Sequence, residues 1–319
     1  RQSETCASIG VMMFGQRMAA ITGDASYYDY VEKALYNTVI AGINIAGDRY
    51  FYVNPLEVVP EFCTEHTYME HVKPVRQKWF GVACCPPNVG RTLASLGQYI
   101  YAEDEYGVYI NQFISSTADT EVRESRLKIK MNSTLLQDGK VQIEVQSSGP
   151  GNLNIRIPWY SEKCECVQNG ISIEIQPEKG YQRLSISPGD TYISLDFHVS
   201  PRWMGANNGV RADAGKAALM KGPLVYCLEE KENGRYLSEI FIEENTSIEE
   251  TAPAEELVGN VPTLSYKGIR VRNKGAAGEN QLYGNVELEK EEVSLQAVPY
   301  CMWNNRGEGE MLVWHKLRV

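Results

Sequence analysis

A single change of period divides this chain. Before about Tyr101 its regular stretches read as helices, and from Tyr106 onward apolar residues alternate with polar ones. A helix face repeats every ~3.6 residues and a strand face every two, so the switch predicts a helical third followed by a β-rich remainder. In the β-rich part Val141, Ile143 and Val145 alternate, as do Leu153, Ile155 and Ile157, Ile171, Ile173 and Ile175, and Ile193, Leu195, Phe197 and Val199. Turn signals separate these runs at Asp138-Gly139, Gly149-Pro150-Gly151, Asn169-Gly170 and Pro188-Gly189-Asp190. Half-buried strands at this spacing predict a β-sandwich over residues 104–201. A second β-rich region is expected over 202–311, with strands near 217–228, 237–243 and 293–300 and a loop at 245–262. Residues 312–319 alternate again and can return to the first sandwich.

The helical third covers residues 1–103. Thr5 to Ile21 is apolar on most faces, as in a helix buried within a larger array. Gly23-Asp24 ends it, and Asp24 or Ser26 can cap the next helix, where Tyr27, Val31, Ala34, Leu35 and Thr38 to Val39 keep helical spacing. A third helix is expected to start after Pro86-Pro87, with Asn88 near the cap, and to run to about Tyr101. Between them, residues 43–83 look irregular, and long irregular stretches in compact domains are often functional. Three helices and a long loop cannot close a core well, so residues 1–103 read as the last part of a larger helical toroid. Arg1 is not a methionine, and the expectation is that an upstream segment is missing.

Composition removes several classes of function. With 319 residues, 43% hydrophobic and 23% charged, the chain has the make-up of a multidomain globular protein, and no run of 18 apolar residues predicts a membrane span. A net charge of -10 argues against nucleic acid and anionic membranes, which need a basic face, and agrees with a neutral substrate such as a sugar. A homo-oligomer is compatible with the chain, and neither cytoplasm nor periplasm is excluded.

Eight cysteines are too sparse for a disulfide scaffold, and four histidines with no HExxH leave any metal site to thiolates and carboxylates. Two stretches stand out: Glu4-Thr5-Cys6, at the mouth of the first helix, and Cys84-Cys85-Pro86-Pro87-Asn88, at the mouth of the third. Helix N-termini favour anions, so both clusters gain thiolate character there. If the helices pack side by side, three sulfurs and one carboxylate converge on a tetrahedral zinc site; otherwise these are two inert cysteine clusters. A full, electron-rich shell makes water activation a poor role for such a metal. It is either a structural staple or a device that keeps one sulfur ionised for attack on carbon.

Lesser signals read mostly as packing. Tyr50 to Tyr52 and Asn54 to Glu57 can line a pocket or pack as ordinary loop, and His66 and His71 are expected to be solvated. Cys164, Cys166, Cys63, Cys227 and Cys301 read as strand or core cysteines. Trp159, Trp203, Trp303 and Trp314 read as packing rather than sugar platforms.

The segments SETCASI, WFGVACCPPN, IRIPWYS and VPYCMWNNRGEGEMLVW, in this order, resemble glycoside hydrolase family 127 over essentially the whole chain. That family, with its near relative family 146, contains bacterial retaining β-L-arabinofuranosidases. The resemblance implies a multidomain α plus β protein: the C-terminal part of an (α/α)6 barrel followed by two β-sandwich domains. It implies Zn2+ bound by Glu4, Cys6, Cys84 and Cys85, with Cys84 as nucleophile and an L-arabinofuranosyl glycan as substrate. It also implies a general acid/base glutamate about four helical turns ahead of Glu4, where this chain has no residue. The expectation is therefore little or no turnover by this polypeptide without the missing N-terminal barrel segment. Two rivals stand beside it: a related glycosidase for another pentose-derived sugar, and a non-catalytic carbohydrate-binding or structural protein with a structural zinc.

Overall fold

In a computed structural model, which describes residues 2–67, 69, 71–254, 257–276 and 282–318, the chain is mixed α and β and mostly sheet. Among the described residues no helix is long and apolar enough to cross a membrane. The chain forms two compact units, one of residues 5–40 and 82–200, the other of residues 1–4, 41–81 and 201–319.

The first unit holds the longer helices. Helix α1 (Thr5–Thr22) buries Ile9, Met12 and Ala19 and leaves Val11, Phe14 and Ile21 exposed, in line with its apolar character on several faces. At Gly15 the neighbouring helix comes so close that an added Cβ would lie 2.9 Å from the Tyr27 carbonyl oxygen. Gly23, at φ +67°, donates its N–H to the Ala19 carbonyl and ends α1, and Asp24 Oδ1 accepts the Ser26 N–H at 2.9 Å. Helix α2 (Ser26–Ala34) continues into a π-helical turn, Leu35–Val39. The expected third helix is shorter than its sequence suggests. Helix α3 (Cys85–Ala94) stops at Ser95, whose hydroxyl bonds back to the Arg91 carbonyl, and a separate turn covers Gly97–Ile100.

The same unit contains two sheets. A six-stranded sheet runs in the order 171–173, 165–168, 189–196, 140–147, 125–133, 116–122, and a four-stranded one in the order 181–186, 151–156, 107–110, 101–104. Alternation places Val141, Ile143 and Val145 of the first and Leu153 and Ile155 of the second in one hydrophobic cluster. Ile171 departs from the expected half-buried pattern. Its strand lies at the sheet edge, paired on one side only, and the side chain is exposed.

Buried charge ties α2 to the four-stranded sheet. Arg156, fully buried, places Nη1 2.6 Å from Asp29 Oδ1 and Nη2 2.7 Å from Glu32 Oε1, and Nε donates to the Asn111 carbonyl. Burial opposes charge on Arg156, but the coulombic pull of Glu32 and Asp29 outweighs it and keeps the guanidinium protonated.

In the second unit, a ten-stranded sheet follows the order 201–205, 216–221, 314–318, 240–243, 263–273, 288–299, 224–229, 311–312, 57–58, with 248–251 beside 263–273. Strand 216–221 also pairs with 224–229, so the hydrogen-bonded path returns on itself. Two sequence expectations change here. The segment 41–81 packs with this sheet: Glu57–Val58 is an edge strand, Phe51 stacks on Trp303, and buried Arg76 bonds the Ala41 and Trp303 carbonyls. Residues 312–318 do not return to the sheets formed by residues 104–201. Strand Trp314–Arg318 pairs with 216–221 and, in parallel, with 240–243, because buried His315 is anchored in this unit.

His315 Nδ1 donates to the Val313 carbonyl and Nε2 accepts from the Tyr266 hydroxyl at 2.6 Å. Burial lowers its pKa to about 4. The folded value lies below the unfolded value of ~6.5, so this contribution is complete above that pH and is lost as pH falls toward 4. Urea melts should show a loss of about 3 kcal/mol across that window, absent in His315→Gln. A variant that keeps the full acid loss would assign it elsewhere.

Candidate functional site

Strand β1 (Gln2–Glu4) pairs antiparallel with β2 (Val53–Pro55), Glu4 opposite Val53, and passes directly into α1 at Thr5. Glu4 is therefore held at the entrance of the helix whose second residue is Cys6. In α3, Cys84 takes the N-cap position and Cys85 the first helical position, followed by Pro86 and Pro87. Proline costs little in a first turn, whose N–H groups have no intrahelical acceptor, and its fixed φ presets helix entry.

Helices α1 and α3 pack on one another, and the donor atoms of Glu4, Cys6, Cys84 and Cys85 all lie within 4.8 Å of one another. Cys6 Sγ is 3.7 Å from Cys85 Sγ, and Cys84 Sγ is 3.9 Å from Cys85 Sγ. A tetrahedral ion with metal–sulfur bonds of ~2.3 Å separates its sulfurs by about 3.8 Å. The Cys6–Cys85 and Cys84–Cys85 separations therefore match those of two sulfurs sharing a soft divalent cation. These separations are far beyond the ~2.05 Å of a disulfide, and all eight cysteines are thiols. Exposure differs sharply within the set: Cys85 is 1% exposed, Glu4 and Cys6 are half-buried, and Cys84 is exposed.

Burial and mutual proximity shape the titration of two of the sulfurs. Burial, then the neighbouring sulfurs Cys6 and Cys84, push the Cys85 thiol far up. Burial raises Cys6 as well, against the lowering effect of a hydrogen bond from Asn88. Without positive charge these thiols keep their protons, and a bound divalent ion reverses that preference.

Tyr50 and Phe51 are core residues, Asn54 is buried with Nδ2 on the Ser3 carbonyl, and His66 and His71 are exposed. Cys166 belongs to the hydrophobic cluster of the first unit, with Cys164 packed against it, while Cys63, Cys227 and Cys301 are buried. Trp303 is a core residue, and Trp203 packs edge-on to Tyr266 and His315. One contact was missed by sequence reasoning: Asn88 Nδ2 donates to Cys6 Sγ at 3.1 Å. Its position four residues after Cys84 in a helix was the available signal.

Comparison with known proteins agrees along the length of the chain. Residues 1–98 match the profile described as the β-L-arabinofuranosidase, GH127 catalytic domain. Residues 107–197 match the GH127 middle domain, and residues 201–316 match the glycoside hydrolase family 127 C-terminal domain. A non-reducing end β-L-arabinofuranosidase of Bifidobacterium longum subsp. longum is 35% identical over 98% of this chain and 49% of its own length. The crystal structure of a GH127 β-L-arabinofuranosidase from Geobacillus stearothermophilus superposes with a TM-score of 0.92 at 37% identity, covering 99% of this chain and 50% of that one. A GH127 β-arabinofuranosidase structure gives a TM-score of 0.87 at 27% identity, covering 99% of this chain and 49% of that one. The chain thus spans about half the length of these relatives. Three consecutive domain profiles, a curated relative and a shared fold converge on one assignment: the chain belongs to glycoside hydrolase family 127.

Proposed function

We propose that this chain carries the metal and nucleophile part of a retaining β-L-arabinofuranosidase site. Zinc is held by Glu4, Cys6, Cys84 and Cys85, and Cys84 Sγ is the nucleophile. In this reading the helices are the C-terminal part of an (α/α)6 barrel, and residues 104–201 and 202–311 are β-sandwich domains. The activity follows the relatives, which are β-L-arabinofuranosidases by name. The observation that carries the choice of sulfur is exposure, because Cys84 is the most exposed of the three sulfurs.

Held by these four residues, zinc would supply the charge that keeps the sulfurs ionised, and four protein ligands would leave it no part in activating water. The Cys84 thiolate attacks the anomeric carbon, forming a carbon–sulfur bond as the glycosidic carbon–oxygen bond breaks. The leaving oxygen takes a proton from a general acid outside the cluster. Water then adds to the same carbon, gives its proton to the conjugate base, and the carbon–sulfur bond breaks to restore the thiolate. Two inversions give retention.

The full ligand shell favours a second reading, a purely structural staple, and Cys84→Ser separates the two. In the active enzyme the catalytic reading expects kcat/KM on an aryl β-L-arabinofuranoside to fall at least ~1000-fold while the fold survives. A structural role predicts that stability and zinc are lost together. Brief iodoacetamide treatment of the unmodified chain with peptide mapping should label Cys84 before Cys85. Equal labelling would remove the exposure argument.

A further inference from the structure

The zinc reading leaves a surplus of negative charge. Three thiolates and a carboxylate around one divalent ion carry a net charge of about -2, partly in a buried setting. Relief lies on the next turns of α3. Asn88 follows Cys84 by four residues and Arg91 follows Asn88 by three, so the three side chains stack along one helix face. Asn88 Nδ2 donates to Cys6 Sγ at 3.1 Å, and Asn88 Oδ1 accepts from Arg91 Nη2 at 2.9 Å. Arginine has only donors, so it holds the oxygen end of the amide and turns the N–H end toward the sulfur.

We propose that Asn88 is a positioning residue of the metal site, its amide fixed by Arg91 so that an N–H always faces Cys6 Sγ. The proposal rests on the zinc reading above. The bond selects the Cys6 rotamer that points at the ion and spreads part of the sulfur's charge toward the Arg91 guanidinium. The compensation falls on a ligand that does not react. Outer partners of this kind tune both ligand orientation and metal affinity.

The test is zinc titration of the purified chain against a chromophoric chelator, for the unmodified protein, Asn88→Ala, Asn88→Asp and Arg91→Met. Asn88→Ala should bind zinc about 10–100-fold more weakly. Asn88→Asp should lose more, since it sets a carboxylate against a thiolate, and Arg91→Met should lose less, in the same direction. The melting temperature of the metal-free chain should not change, which a merely structural role would not predict. With Co2+ in place of zinc, the sulfur-to-metal charge-transfer band of Asn88→Ala should move to lower energy as Cys6 loses its donor. Unchanged affinity and spectrum in Asn88→Ala and Asn88→Asp overturn the proposal, as does an affinity loss that only tracks loss of the metal-free fold. If the unmodified chain takes up no metal, the zinc reading fails with it; if it binds and the variants bind equally, only this proposal fails.

Discussion

On the zinc reading, stripping the metal from the purified chain with a chelator is expected to produce the largest single loss of stability, on the order of 10 kcal/mol if the site behaves like small zinc domains. The cluster joins the starts of α1 and α3, elements that are otherwise far apart in sequence. Without the ion, three sulfurs lying within 4.8 Å of one another lose the shared partner that would hold them in ligand geometry. Cys85→Ser should reproduce most of this effect, because Cys85 is buried and its sulfur neighbours those of both Cys6 and Cys84. Calorimetry with metal analysis checks both statements. One zinc per chain is expected, and an identical melting temperature with and without metal would count against the centre altogether.

The second large effect is expected at Arg156. Replacing it by leucine leaves Asp29 and Glu32 facing a buried, uncharged surface, and breaking a buried ion pair from one side costs roughly 3–5 kcal/mol. Burial already raises the pKa of Glu32 and of Asp29 even with the guanidinium present. Removing Arg156 should therefore drive these groups further toward the neutral acid, and the deficit should shrink as pH falls. The double variant Arg156→Leu with Glu32→Gln should regain part of the loss, since no buried carboxylate then remains at that position. Denaturant melts of the two variants decide the matter. Equal stability would mean that the charge at Glu32 is not the source of the cost.

What the sequence revealed, and what it hid, follows from the range of the interactions involved. Val141, Ile143 and Val145 could be read because a strand's burial pattern is written in its own alternate residues. Glu4, Cys6, Cys84 and Cys85 could be read because unusual residue types sit at helix entrances, and the family resemblance supplied their convergence. The Arg156 ion cluster could not, because its carboxylates lie more than a hundred positions away and each looks like a surface charge in its own segment. The segment 41–81 looked irregular for the same reason, since its order comes from partners near the end of the chain, such as Trp303 and Tyr300. His315 concealed the fate of the last strand. A histidine in an alternating run gives no hint that it will be fully buried against a tyrosine.

The π-helical turn after α2 bears on which changes of length this region tolerates. Val31, Leu35 and Val39, spaced by four, are all buried, and the wider turn at Leu35–Val39 absorbs the extra residue that this spacing introduces. Deleting Thr38 would return the backbone to ordinary α-helical winding while Val31 and Val39 keep their orientation. The same deletion within α1 would swing everything beyond it by about 100°. A register buffer thus sits beside a helix that has none.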